Sequence, residues 1–167
     1  AERDYIALLL TCDNGIAAHE EIAFAKSMGM TVVVTDHHEI PYEETENGRK
    51  EILPMADAVI NPKQEECQYP YKEICGALVA YKLIQVMCQL AQEEDEQLLS
   101  ELLEFAAIAT VCDVMDLLNE NRIVVKYGLQ MLSHSANPGL RKLIEVCGLS
   151  EREIGCYHIG FVLGPCL

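Results

Sequence analysis

The chain has 167 residues, half of them hydrophobic, which is enough for one full domain core, too few for two comfortable ones and too apolar for disorder. Its formal net charge of −15 argues against non-specific nucleic-acid binding by this stretch, since a polyanion would be repelled. No apolar run approaches the length of a membrane span, and no basic segment followed by an apolar one marks a signal peptide.

Tyr5–Cys12 predicts a first strand, because Ile6-Ala7-Leu8-Leu9-Leu10-Thr11-Cys12 is almost continuously apolar. Ile16, Ala17, Ile22, Ala23, Ala25 and Met28 recur at near-helical spacing, so a helix is expected from about Ile16 to Met28, ended by Gly29. The β-branched run Thr31–Thr35 predicts a second strand. A polar loop is expected from Glu39 to Lys50, with Pro41 and Asn47-Gly48 as turn signals. Ala58-Val59-Ile60 reads as a short third strand closed by Asn61-Pro62, which brings Asn61 to the same edge if the strand is parallel. Strands this apolar on both faces suit a parallel sheet covered by helices.

From about residue 74 the pattern turns helical, over Ile74–Leu90, Glu96–Val111, Arg122–Leu132 and Leu140–Val146. Ala136-Asn137-Pro138-Gly139 separates the last two, and Ser150-Glu151-Arg152-Glu153 has the form of a capping box opening another short helix. The expected fold class is therefore α/β: a parallel, Rossmann-like sheet flanked by helices over about 1–73, followed by a mostly helical portion over about 74–167. The chain opens on Ala and stops at Gly164-Pro165-Cys166-Leu167, and we expect an internal piece of a longer protein.

The chemistry concentrates at the strand ends. Parallel strands joined by one crossover bring their C-terminal ends to the same edge of the sheet. Asp13 leaves the first strand, and Asp36-His37-His38 leaves the second, so topology alone gathers two acids and two imidazoles. Such a set describes a hard-metal site and phosphate chemistry. Asp13 could also serve merely as a helix N-cap. Adjacent side chains on an extended backbone diverge, so His37 and His38 are expected to do different work: one binds metal, and the other meets substrate or acts as an acid. Asp36 could orient an imidazole by accepting its second N–H.

Asp113 closes the apolar segment Phe105–Cys112 and is equally readable as a turn former or a group aimed into a site, while Asp116 could cap a helix or simply face solvent. His19, His134 and His158 stand alone, His19 on a Glu-rich and exposed helix face. The eight cysteines include no C-x-x-C pair, which argues against a structural zinc knot. Several, such as Cys12, Cys88 and Cys112, lie in apolar runs, and buried reduced thiols of a cytoplasmic protein are the expectation.

Thr11-Cys12-Asp13-Asn14-Gly15-Ile16, Thr35-Asp36-His37-His38, Cys75-Gly76-Ala77 with Ala80-Tyr81-Lys82, Ala109-Thr110-Val111-Cys112-Asp113-Val114-Met115 and Gly164-Pro165-x-Leu167 together resemble the DHH phosphoesterase superfamily. The resemblance covers nearly the whole chain and is narrowest to the family's bacterial single-strand-specific 5′→3′ DNA exonucleases. It implies that Asp13 bridges metals, that His37 and Asp113 ligate them, that His38 lies near the scissile phosphate and that Asp36 supports the histidines. It also implies a two-metal Mn²⁺ or Mg²⁺ site, single-stranded DNA as substrate, and a helicase and a single-strand-binding protein as candidate partners. The family's further aspartate-rich ligand motif would lie upstream of Ala1, its tail motif continues past Leu167, and Asp116 stands where relatives often carry Pro. Other readings within the resemblance are an oligoribonuclease or cyclic-dinucleotide phosphodiesterase, an inorganic pyrophosphatase, or a degenerate, non-enzymatic scaffold.

Overall fold

A computed structural model describes residues 5–46, 48–93 and 95–167, so Asn47 of the expected Asn47-Gly48 turn lies outside the described residues. The chain divides at Ala80/Tyr81 into two compact units.

In the first unit, strands β1 (Leu8–Leu10), β2 (Thr31–Thr35) and β5 (Ala58–Ile60) form a parallel sheet in the order β1-β2-β5. Leu9 pairs with Val32 and Val34 with Val59. Helix α1 (His19–Ser27) provides the crossover between β1 and β2. The strand β2 is central because its Thr-Val-Val-Val-Thr run is β-branched throughout, and Val32 and Val34 are fully buried against Ile22 and Ala25 of α1 and against Met30. One polar clamp ties this layer together. Lys26 of α1 reaches both carboxylate oxygens of Asp57 at 2.6 Å, and Asp57 accepts the Val32 N–H at 2.7 Å.

Helix α1 starts three residues later than the apolar spacing suggests. The Ile16 N–H is given to the Asp36 carboxylate at 2.9 Å, and Gly15 turns the chain at φ +111°. A side chain on Gly15 would be strained there and would crowd Thr11 and Val34. His19 is the first residue of α1 and is half-buried rather than exposed.

The segment expected as a polar loop is an antiparallel hairpin, β3 (Tyr42–Thr45) with β4 (Gly48–Glu51). It lacks apolar alternation, so its pattern does not announce strands. Cross-strand charge pairs hold it instead: Glu43 faces Lys50, Glu44 faces Arg49, and the Arg49 guanidinium lies 4.3 Å from the Tyr42 ring centre.

Helix α2 (Gly76–Ala91) begins in the first unit and ends in the second. Next come α3 (Glu96–Cys112), α4 (Asn119–Leu132) and α5 (Pro138–Val146). Asp95 caps α3 by accepting the Leu98 N–H, and Asn137 caps α5 by accepting the Leu140 N–H, with Pro138 in the first turn. No helix opens at Ser150, contrary to the capping-box pattern; residues 150–152 make a turn closed by Arg152 N–H to the Leu149 carbonyl. The next helix, α6 (Cys156–His158), continues as a π-helical turn (Ile159–Leu163) and a 3₁₀ turn (Gly164–Cys166). Ile108, Leu132, Leu140, Ile144, Ile159 and Leu163 form the core of this unit. No helix among the described residues is long and apolar enough to cross a membrane.

Cys12 and Cys112 are exposed and Cys88 is half-buried, so apolar neighbours in sequence did not bury them. They sit at or near element ends, where the chain leaves the core.

Glu104 is a buried acid in the second unit, 2% exposed, and accepts the Ser135 hydroxyl at 2.7 Å. Burial pushes its carboxyl above the usual range, the Ser135 hydrogen bond works against this, and the Glu101 charge adds to the rise. A raised carboxyl pKa favours the folded state at low pH, and that contribution is lost as pH rises through the folded-state value. Glu104→Gln keeps an acceptor for Ser135 without the charge. Its melting temperature should exceed wild type at pH 8 and converge with it near pH 4, as read by circular dichroism. An equal difference at both pH values would contradict this.

Candidate metal centre

The site lies where the parallel strands end. After β1, the chain passes through Thr11 and Cys12 to Asp13. Thr35, at the end of β2, donates its hydroxyl to the Thr11 carbonyl at 2.6 Å and its N–H to the Thr11 Oγ1 at 3.2 Å. Asp13 then gives its N–H to the Thr35 carbonyl at 3.0 Å. Asp13 adopts φ 61°, a left-handed conformation that Asp tolerates better than most residues, and its side chain remains half exposed.

The DHH triplet follows β2 directly. Asp36 is 1% exposed and saturates its carboxylate from four directions. Oδ2 accepts the Ile16 N–H at 2.9 Å, while Oδ1 accepts the N–H of His37 at 2.8 Å, the N–H of His38 at 3.2 Å and His38 Nδ1–H at 2.7 Å. Burial alone pushes this carboxyl up, but the Ile16 N–H, the His38 ring and the two histidine N–H groups outweigh it and hold the carboxyl below its ordinary value. An ionised Asp36 thus keeps the His38 proton on Nδ1 and makes Nε2 the ring nitrogen that carries the lone pair. Asn61, which follows β5, donates Nδ2–H to the His38 carbonyl at 3.0 Å, as the parallel placement of that strand allows.

The two histidines are unequal. The His37 ring is nearly buried, with Nε2 3.1 Å from Asp13 Oδ1, while the His38 side chain is 59% exposed. Their ring centres are 4.6 Å apart. Ligand atoms of Asp13, His37 and His38 all lie within 4.8 Å of one another. A carboxylate with two imidazoles suits a first-row divalent ion such as Mn²⁺, and the carboxylate also suits Mg²⁺. One buried donor beside two open ones leaves room for other ligands, as a hydrolytic site requires. The structure therefore brings His38 as well as His37 beside Asp13, so both rings lie in the cluster.

Asp113 is the C-cap residue of α3 in the second unit, and its N–H bonds to the Ala109 carbonyl. Its neighbour Val114 adopts φ 56°, a strained conformation for a β-branched residue. Asp116 does not cap α4, whose N-cap is Leu118; its carbonyl accepts from Asn121. His158 Nδ1 accepts the Gly155 N–H at 3.0 Å within its own helical turn, and His134 follows the end of α4. Cys12 lies beside the cluster, but partial desolvation, then the charges of Asp13 and Asp36, push its thiol up, which makes it a poor nucleophile.

Residues 2–110 match the DHH family, N-terminal domain. The chain is 38% identical over 159 residues to the single-stranded-DNA-specific exonuclease RecJ of Bacillus subtilis strain 168, covering 95% of this chain and 18% of that protein. It is 34% identical over 167 residues to RecJ of Escherichia coli strain K12, covering 95% and 27%. The chain thus spans only about a fifth to a quarter of these relatives. In three dimensions it is similar to an exonuclease RecJ bound to manganese, with a TM-score of 0.77, 28% identity, and coverage of 98% of this chain and 39% of the other. It is also similar to RecJ of Thermus thermophilus in complex with Mn²⁺, with a TM-score of 0.74, 28% identity, and coverage of 95% and 22%.

Asp36→Asn removes the charge that satisfies four donors and should cost about 2–3 kcal/mol of stability. It should also release the His38 ring from its Nδ1–H form. Thermal melting and ¹⁵N NMR of the histidine rings measure the two effects; unchanged stability with an unchanged His38 tautomer would contradict this role.

Proposed function

This chain belongs to the DHH family, and on that premise we propose that it carries part of the catalytic domain of a metal-dependent phosphodiesterase that degrades single-stranded DNA from the 5′ end. The observation that carries the reading is the cluster of Asp13, His37 and His38 at the C-terminal edge of the parallel sheet. Relatives named as single-stranded-DNA-specific exonucleases, and similar structures that hold manganese, support it.

In this reading Asp13 and His37 hold the metal, and the family resemblance assigns Asp113 as a further carboxylate ligand. Bound Mn²⁺ or Mg²⁺ would neutralise phosphate charge and activate water for an in-line displacement. His38, fixed by Asp36 with its proton on Nδ1, presents Nε2 to the scissile phosphate. Asp36 is a positioning residue: it is buried, already fully engaged with the Ile16, His37 and His38 donors, and acts through the rings rather than on substrate. Metal charge also reconciles a chain of net charge −15 with a polyanionic substrate. By the family resemblance, further metal ligands and a nucleic-acid-binding surface would come from segments outside residues 1–167.

Asp13→Asn suits the same left-handed backbone while removing the negative ligand. In the full-length protein, Asp13→Asn or His37→Ala should lower Mn²⁺-dependent digestion of 5′-labelled single-stranded DNA by at least about 100-fold, with the fold retained. Near-normal turnover in either variant would reject the assigned ligand. Preferential cleavage of short RNA or cyclic dinucleotides by the unaltered protein would reject the substrate.

The isolated chain should fold yet bind Mn²⁺ only weakly, because its ligand set is incomplete. Calorimetric titration would show this; tight binding of two ions per chain would contradict it.

A further inference from the structure

The Cys75-Gly76-Ala77 segment has no part in the chemistry above, yet it opens α2, and Gly76 is buried. A Cβ atom built on Gly76 would lie within 2.6 Å of both Cβ and Cγ of Asp13, and closer still to Oδ1. Carbon atoms do not approach so closely without a shift in one of them.

Helix geometry does not explain this glycine. Its backbone lies outside the left-handed region, and alanine is the better helix former. Only the close approach to Asp13 requires a residue without a side chain. Asp13 has little freedom to retreat: its backbone is in a left-handed turn, its N–H is bonded to the Thr35 carbonyl, and Thr11 and Thr35 are cross-bonded beside it. A methyl group at position 76 would therefore act chiefly on the Asp13 carboxylate, turning it away from His37 Nε2.

We infer that Gly76 is a positioning residue of the metal centre: the first turn of α2 closes against Asp13 because position 76 carries no side chain, and this contact holds the carboxylate where it can share an ion with His37. The inference rests on the proposed metal centre.

The test is a double-mutant cycle in the full-length protein. Mn²⁺ affinity is read from the free-ion electron paramagnetic resonance signal for wild type, Gly76→Ala, Asp13→Asn and the pair, with circular dichroism melting on each. Gly76→Ala should weaken Mn²⁺ binding at least tenfold while remaining folded, and adding it to Asp13→Asn should change affinity less than twofold further. Wild-type affinity in Gly76→Ala alongside a loss in Asp13→Asn would overturn this inference and leave the metal centre standing. Wild-type affinity in Asp13→Asn would overturn both. A tenfold loss from Gly76→Ala that recurs in full on the Asp13→Asn background would show a general packing role and overturn the inference. Should Gly76→Ala not fold, Asp13→Gly combined with it removes the clash and suits the turn; recovery of folding would support the contact, and continued unfolding would overturn it.

Discussion

A carboxylate that is almost wholly buried is costly unless its charge is met from all sides, and Asp36 is met from four. Its two oxygens face different parts of the chain. One holds the Ile16 N–H, at the start of the connection that follows the β1 exit. The other holds the N–H groups of His37 and His38 and the His38 ring, at the β2 exit. This residue therefore joins the two strand exits on which the candidate site is built. It also anchors the connection that precedes α1, since the Ile16 N–H is bonded to it before the helix begins.

Around this hub the ligand atoms are graded in exposure. His37 is packed inside, while Asp13 is half open and His38 more open still. A buried imidazole gives a fixed donor, and open donors give access to substrate and water. The hydrogen bond from His38 to an ionised Asp36 decides which ring nitrogen faces outward, so the exposed histidine is oriented without being enclosed. Asn61 and the Thr11–Thr35 pair brace the same loops through backbone groups.

Much of this was legible in the sequence because it follows from short-range pattern and one topological rule. The Thr31–Thr35 run, the helix spacing after Asn14 and the short Ala58–Ile60 strand specify a parallel sheet with its polar exits on one edge. That rule brought Asp13 and the DHH triplet together before any coordinates. Features that depend on contacts between distant residues stayed hidden. The hairpin of β3 and β4 is held by charge pairs rather than apolar alternation. The Ile16–Asp36 bond and the approach of Gly76 to Asp13 both join residues far apart in sequence. The Ser150 capping pattern marks only a turn, because such a motif favours a helix start without compelling one. Exposed thiols at Cys12 and Cys112 show that apolar neighbours in sequence do not ensure burial at the end of an element.

The most direct test of the account is where a divalent ion binds. Crystals of the full-length protein grown with Mn²⁺, with diffraction data collected at the manganese absorption edge, locate the ion by its anomalous scattering. The account requires a peak within bonding distance of the Asp13 carboxylate and His37 Nε2. Manganese bound elsewhere, with Asp13 and His37 still paired directly to each other, would contradict it.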